Sequence, residues 1–270
     1  MTKIDYDFGN KRHWRRIIGR TFRSFLGTMH DKNILVMPSR GSAEIDSLLR
    51  YGAKEYRIHA VDSNKAIVAW AKRRHPLIKT YGHWLSHLDY QNLKLEEEPL
   101  HAASLDFTGC LSGVTLYELQ TFIYQTLPAH SQPFLLAVNL QKGREQVEIT
   151  AMMAHTVKIE KHLSSALPED LRARVALLGE VLSIPVQCDT KRGNIVHVVQ
   201  PQILRWGEYK SSGRHGVKMW WSIWVMKRQD QPPRGCERHG HELCLLAETS
   251  LAYRQLIKAG EIGKDGEALG

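Results

Sequence analysis

From residue 34 the chain alternates short apolar runs with segments of helical period: ILVM at 34–37, a helical pattern at about 43–51, YRIHAV at 56–61, and a second helical pattern at about 65–74. Apolar runs this short, each followed by a helix that brings the chain back, imply right-handed βαβ units in a parallel sheet. LIKTYGHWL (77–85), HAASLDF (101–107) and PFLLAVNL (133–140) supply a third, fourth and fifth strand, and the helical VTLYELQTFIYQTL lies between the last two. The stretch from about Glu145 to Val181 reads as helical, with a fresh start at Pro168, Glu169 and Asp170, where acidic side chains suit the positive end of a helix dipole. Then the period changes. Residues 195–206 and 217–227 are β-rich runs around the turn-forming YKSSGRHG, and together they predict a long antiparallel hairpin.

The length of 270 residues and the 43% hydrophobic content allow one large α/β domain. Residues 1–30 are expected to form a basic helical segment packing on the sheet, 31–228 a Rossmann-like domain, and 229–270 a partly irregular extension. Thirty-seven Lys and Arg against 28 Asp and Glu give a formal charge of +9, which favours a polyanionic partner, nucleic acid before a membrane surface. No apolar run reaches 18 residues, the polar start has no signal core, and two of the four cysteines are isolated. These features predict a cytoplasmic protein with no membrane partner. Residues 11–27 place Trp14, Ile17, Ile18, Phe22, Phe25 and Leu26 near helical spacing, with Lys11, Arg12, Arg15, Arg16, Arg20 and Arg23 between them. Such a helix either packs on the sheet and solvates its arginines or offers them to nucleic acid, with Arg15 and Arg16 as candidate contacts.

In open α/β sheets ligands bind outside the carboxyl ends of the strands. VMPSRGSAEI occupies that place after the first strand, with a single glycine. Gly41 would allow close backbone approach or a positive φ, and Ser42 or a neighbour would cap the next helix. The second strand ends in Asp62, about 20 residues after Gly41, where a carboxylate can accept both hydroxyls of a ribose; the alternative is an N-cap for helix 65–74. The missing GxGxxG argues against a dinucleotide, whose pyrophosphate needs close backbone packing.

This element order, with IHAVDSN ending in its acid, resembles the class I S-adenosylmethionine-dependent methyltransferase (Rossmann-like) superfamily over about residues 30–228. The resemblance implies an α/β fold, a doubly wound, mostly parallel seven-stranded sheet with a C-terminal antiparallel hairpin. It implies S-adenosylmethionine as cofactor, held by Pro38, Ser39, Arg40, Gly41, Asp62, Ser63 and His87, with Ser86, His87 or Leu88 beside the adenine. LDFTG lies where amino-methylating members carry Asn/Asp-Pro-Pro-Tyr/Phe; it keeps the acid and the aromatic and lacks both prolines. Asp106 and Phe107 are therefore the candidate catalytic pair, polarising and stacking the acceptor, against the alternative of a turn-capping Asp beside a core Phe.

Other motifs offer less. Cys110 has no preceding proline and reads as a small buried hydrophobe more than as a thiolate nucleophile. CERHGHELC compresses Cys236, His239, His241 and Cys244 into nine residues, a possible zinc set or a basic loop. The hairpin interleaves Trp206, Trp220, Trp221 and Trp224 with cations; alternation sends Trp220 and Trp224 to one face and Trp221 to the other, and Lys210, Arg214 and Lys218 near the tip are candidate nucleic-acid contacts. The function expected is methyl transfer to a nucleic-acid base. The alternative is a catalytically silent module of the same fold that binds nucleic acid or protein after losing its full cofactor loop.

Overall fold

A computed structural model describes residues 10–88, 93, 99–107, 109–126, 130–143, 145, 147–159, 169–183, 185–187, 196–210 and 216–231. Helix α1 (Asn10–Leu26) leads into strand β1 (Asn33–Val36), then α2 (Ala43–Arg50), β2 (Ile58–Val61), α3 (Lys65–Arg74), β3 (Lys79–Tyr81) and β4 (Leu100–Asp106). After these come α4 (Gly113–Thr126), β5 (His130–Gln141), α5 (Val147–Ile159), α6 (Glu169–Leu182), β6 (Pro185–Gln187), β7 (Val196–Lys210) and β8 (Lys218–Gln231). The sheet order is β3-β2-β1-β4-β5-β8-β7-β6. Strands β1 to β5 pair parallel, and β8 enters antiparallel between β5 and β7.

A doubly wound parallel sheet closed by an antiparallel hairpin strand next to β5 is the class I methyltransferase fold. The expected seven strands are all present. An eighth, the three-residue β6, pairs antiparallel with the outer edge of β7, too short for its period to be legible in the sequence. Strand β3 is also shorter than expected. It ends before Gly82, and a single 3₁₀ turn (Leu85–His87) follows.

The central strands are apolar runs because both faces are covered. All four residues of β1 and all four of β2 are buried. One face carries α1, α2 and α3, with Trp14, Ile18 and Phe22 of α1 packed into a cluster with Ile34, Ile45, Ala102 and Trp221. The other carries α4, α5 and α6, whose Leu119, Phe122, Met153 and Val175 share a cluster with Leu35, Leu105, Trp220 and Trp224. Period-two alternation in β8 therefore splits its tryptophans between the faces as the sequence predicts.

Burying an aromatic or aliphatic side chain of this size contributes about 1.5–3 kcal/mol, so Trp14, Ile18 and Phe22 together fix α1 on the sheet. Two glycines let the layers meet. A Cβ on Gly207 would stand 2.5 Å from the indole of Trp221, which packs on Trp14 at 4.8 Å between ring centroids; a Cβ on Gly19 would stand 2.1 Å from the Tyr51 ring. Among the described residues, no helix is long and apolar enough to cross a membrane.

Candidate functional site

The carboxyl ends of β1, β2 and β4 carry the predicted site residues, and they divide into two regions with different chemistry.

The first is built by β2 and β3. Asp62 follows the last residue of β2, and its N–H donates to the Tyr81 carbonyl at 3.2 Å, so the two strand ends are locked side by side. Its carboxylate accepts from the Asn64 N–H at 2.7 Å. The cap of α3 is Asn64, whose side chain accepts from the Ala66 N–H at 3.0 Å; Asp62 is not needed for that task. Half-buried without a cation among its described contacts, Asp62 has its pKa raised, because burial penalises the charged form. Ser63 beside it is exposed.

The loop after β3 is pinned from α4. Ser86 donates from its N–H and hydroxyl to the buried Glu118 carboxylate at 2.8 and 2.6 Å, so Ser86 is committed to structure and Leu88 to the core. His87 remains exposed on the turn, and so does Trp84, with 41% of its surface accessible. Trp84 offers an aromatic face near the β3 end that motif reasoning did not single out.

The loop Pro38–Ser42 is turned partly inward. The Ser39 N–H and hydroxyl donate to Glu44 Oε2 at 3.1 and 2.8 Å, while Pro38 is buried and Arg40 and Gly41 are exposed. Of the two uses open to Gly41, close backbone approach or a positive φ, it does not take the positive φ. The left-handed residue is Ser42, at φ 50°, and its buried hydroxyl makes no cap bond and has no partner among the described residues. Left-handed backbone at a serine is strained, and it is held because Ser42 N–H donates to the Ser39 carbonyl at 2.9 Å while Glu44 grips the loop from the helix. Nothing lies within 4 Å of where a Cβ on Gly41 would stand, so the backbone there faces open space.

The second region gathers α1, α2, β4, β5 and β7. Lys11 and Arg15 sit one turn apart on the stripe of α1 that continues as Ile18 and Phe22, which aims both cations at the strand ends. Arg15 donates from Nε and an Nη to Glu44 Oε1 at 2.9 and 2.6 Å, and both side chains are almost fully enclosed. This corrects the expectation that Arg15 faces nucleic acid. At 2% exposure it is an internal counter-ion, required because an unpaired Glu44 would be a bare buried charge. Burial opposes ionisation of Glu44, but the charges of Arg15 and Lys11 hold its pKa below the usual value.

Lys11 Nζ lies 2.6 Å from Asp106 Oδ2, and the Asp106 side chain is 9% exposed. Asn139, fully buried on β5, donates from Nδ2 both to Asp106 Oδ1 at 2.6 Å and to the Tyr209 hydroxyl at 2.8 Å. Its Oδ1 is buried with no partner among the described residues. Burial raises the pKa of Asp106, and repulsion from Glu44 adds to it despite the attraction of Lys11. Burial also pushes the Tyr209 hydroxyl up, again with Asp106 adding repulsion.

Asp106 and Phe107, read as one catalytic pair, part company. Alternation at the end of β4 turns Asp106 toward α1, while the half-buried Phe107 packs on the opposite core cluster and is anchored by its N–H to the Asn139 carbonyl at 3.0 Å. The polar partner on the Asp106 side is Asn139, detectable in the sequence as the one amide inside PFLLAVNL. Lys11, Glu44 and Tyr209 carried no motif signal. Arg16, Lys210 and Lys218 are exposed. Arg214 and the set Cys236, His239, His241 and Cys244 lie outside the described residues, among which no cluster of three or more His, Cys, Asp or Glu could hold a metal.

The first region fits the nucleoside half of S-adenosylmethionine: a carboxylate with one oxygen uncommitted among the described residues, an open backbone at Gly41, and an exposed indole near the β3 end. A charged partner across Asp62 would have contradicted that fit; there is none within its described contacts. No protein-family model matches this sequence, and no curated protein matches it. Similar solved structures include one titled "Putative hemolysin from Streptococcus thermophilus" (13% identity, 96% of this chain and 78% of that one, TM-score 0.49). An O-methyltransferase from Bacillus cereus in complex with SAH also matches (13%, 82% and 83%, TM-score 0.45), as does the 23S rRNA methyltransferase ErmE (12%, 84% and 71%, TM-score 0.45).

Proposed function

We propose that the chain is an S-adenosylmethionine-dependent methyltransferase that acts on an amino group, with a nucleic-acid base as the substrate. The observation that carries this reading is the pair of carboxylates at the ends of β2 and β4, on either side of β1. Asp62 is poised to accept ribose hydroxyls, and Asp106 is buried in a polar cluster and inclined to take up a proton. When bound, the cofactor supplies an electrophilic methyl group on a sulfonium. With the methyl group passed from that sulfonium to the acceptor nitrogen, Asp106 would take up the proton the nitrogen loses. Asn139 orients Asp106 for that step through its 2.6 Å hydrogen bond.

A nucleic-acid substrate is supported by charge. Arg12, Arg16, Arg20 and Arg23 are exposed along α1, and Lys210 and Lys218 are exposed opposite each other across β7 and β8. The silent-module reading draws on a different fact, that Asp106 and Ser39 are already engaged by the chain's own Lys11 and Glu44.

Two measurements separate them. Calorimetry with S-adenosylhomocysteine should give saturable binding, and labelled methyl should pass from S-adenosylmethionine to DNA or RNA with wild type and not with Asp106→Ala. Absence of binding overturns the methyltransferase reading. Binding with transfer only to protein or small amines overturns the nucleic-acid part.

A further inference from the structure

The layer formed by α1, α2 and α3 uses its acids internally. Neither α1 nor α3 contains an acidic residue, and α2 has two, Glu44 and Asp46. Each ties α2 to the helix on its own side: Arg15 of α1 donates to Glu44, and Arg74 of α3 donates to Asp46 Oδ2 at 2.7 Å, with His75 Nε2 3.2 Å from Oδ1. What the three helices turn outward without a partner is therefore cationic. The exposed arginines of α1 are joined by Arg50 of α2 and by Lys65 and Arg73 of α3, and none of them forms an ion pair with a described residue. Among these cations stands Trp70, 52% exposed at the middle of α3, where the helix buries Val68 and Ala71 instead. Arg73 follows one turn on, and a helical side chain at that spacing leans back toward the residue a turn before it. On the preceding turn the exposed neighbours are Ala66 and Ala69, too short to cover an indole.

We infer that the outer face of this helical layer is a track for single-stranded nucleic acid, with Trp70 as its stacking platform. An indole beside an unpaired guanidinium matches the two parts of a nucleotide, the base through its flat face and the phosphate through charge. A duplex does not offer that combination, because its base faces cover one another. A lipid surface fits less well: apart from Trp70, the outward side of α3 carries alanines and cations, with no row of long apolar side chains to enter a bilayer. Helix α3 runs from the carboxyl end of β2 back toward the start of β3, so Trp70 is set off from the strand ends at Asp62 and Asp106. The track holds a segment flanking the reactive base, and not that base itself. This inference rests on the proposed reading only in calling the strand a substrate; strand binding is independent of any cofactor.

The test is fluorescence anisotropy of labelled oligothymidylate and, in parallel, oligouridylate with the full chain over a salt series. Trp70→Ala should weaken binding about 5- to 100-fold. Competition by inorganic polyphosphate, which has the charge and no bases, should give it an affinity for that variant within about twofold of wild type. Trp70→Leu keeps apolar bulk on the helix and lacks a ring; it should show the same loss, so the answer does not depend on Trp70→Ala folding, and Trp70→Phe should recover part of it. Arg73→Ala should weaken the oligonucleotide and the polyphosphate alike and lower the slope of log affinity against log salt by about 0.7. Wild type that binds neither oligonucleotide, or binding as tight without the ring at position 70, overturns the inference, and so does an equal loss for polyphosphate. Trp70-dependent binding to vesicles containing phosphatidylserine, with the oligonucleotides unaffected, would assign the face to a membrane instead. Calorimetry with S-adenosylhomocysteine on wild type reports separately on the methyltransferase reading, so either can fail alone.

Discussion

The two carboxylates at the strand ends are opposites. Asp62 is half-buried, takes one backbone hydrogen bond and faces no cation among its described contacts. Asp106 is nearly enclosed and has both oxygens engaged, one by Lys11 and one by Asn139. Both have raised pKa values, and for the same first cause, burial. An uncommitted acceptor suits a ligand that brings its own hydroxyl donors and leaves again; a committed one suits a group whose geometry must be fixed before a reaction. Pre-organisation around Asp106 has a structural requirement that Asp62 lacks, a buried neutralising network reaching back through Arg15 and Glu44 to the loop at Ser39.

The largest effect should come from breaking that network. Arg15→Met leaves Glu44 buried and unpaired, and loss of one partner from a buried pair costs about 3–5 kcal/mol. The urea midpoint should fall accordingly, and adding Glu44→Leu should recover much of the loss. A change under about 1 kcal/mol in the single variant would mean that the pair is solvated in solution, and that the two regions are less different than their burial implies.

Next in size is the functional contrast. Asp62→Ala should weaken S-adenosylhomocysteine binding by about 10- to 100-fold, the range for losing hydrogen bonds to a charged acceptor, with little effect on unfolding. Asp106→Asn should leave that affinity within about threefold, under 1 kcal/mol, while methyl transfer is lost. If both variants lose cofactor affinity equally, the division of labour is wrong.

The sequence makes the first region more legible than the second, for a physical reason. Asp62 is local: an apolar strand, an acid at its end and a helix after it are all within 20 residues, and strand periodicity reports them directly. The second region is assembled from residues 11, 15, 44, 106, 139 and 209, which only the sheet order brings together. Lys11 and Arg15 read as solvated positions because cations usually are; the inward turn of Lys11 and the burial of Arg15 follow from Asp106 and Glu44, far along the chain. Likewise Ser42 took the positive φ that Gly41 could have supplied, because the preference for glycine is a tendency that Glu44's grip on the loop overrides. The fold survived such errors since it depends on the repeated period and not on single side chains.

Acid should separate the groups by sign. Glu44 has a depressed pKa in the folded chain, so its contribution is complete above the ordinary value of 4.5 and is lost as pH falls below it. Asp62 and Asp106 are raised, so theirs is complete below 3.8 and declines as pH rises through their folded values. Unfolding midpoints between pH 6 and 3 should fall for wild type and fall less for Glu44→Gln; Asp62→Asn should remove a smaller dependence of the opposite direction. An unchanged slope in Glu44→Gln would show that Arg15 does not hold that carboxylate ionised.

The smallest effect concerns the two sides of α1. Arg15 and Arg16 are adjacent in sequence, yet one is an internal counter-ion and the other is exposed with Arg12, Arg20 and Arg23. Arg16→Ala should therefore change stability by less than about 0.5 kcal/mol. If the outer face contacts phosphates, it should weaken DNA or RNA binding uniformly across sequences and lower the slope of log affinity against log salt by about 1. Fluorescence anisotropy over a salt series reads that slope. A slope unchanged in Arg16→Ala, with binding intact, would move the polyanion away from α1 and toward the hairpin end at Lys210 and Lys218, where the corresponding substitutions should then carry the salt dependence.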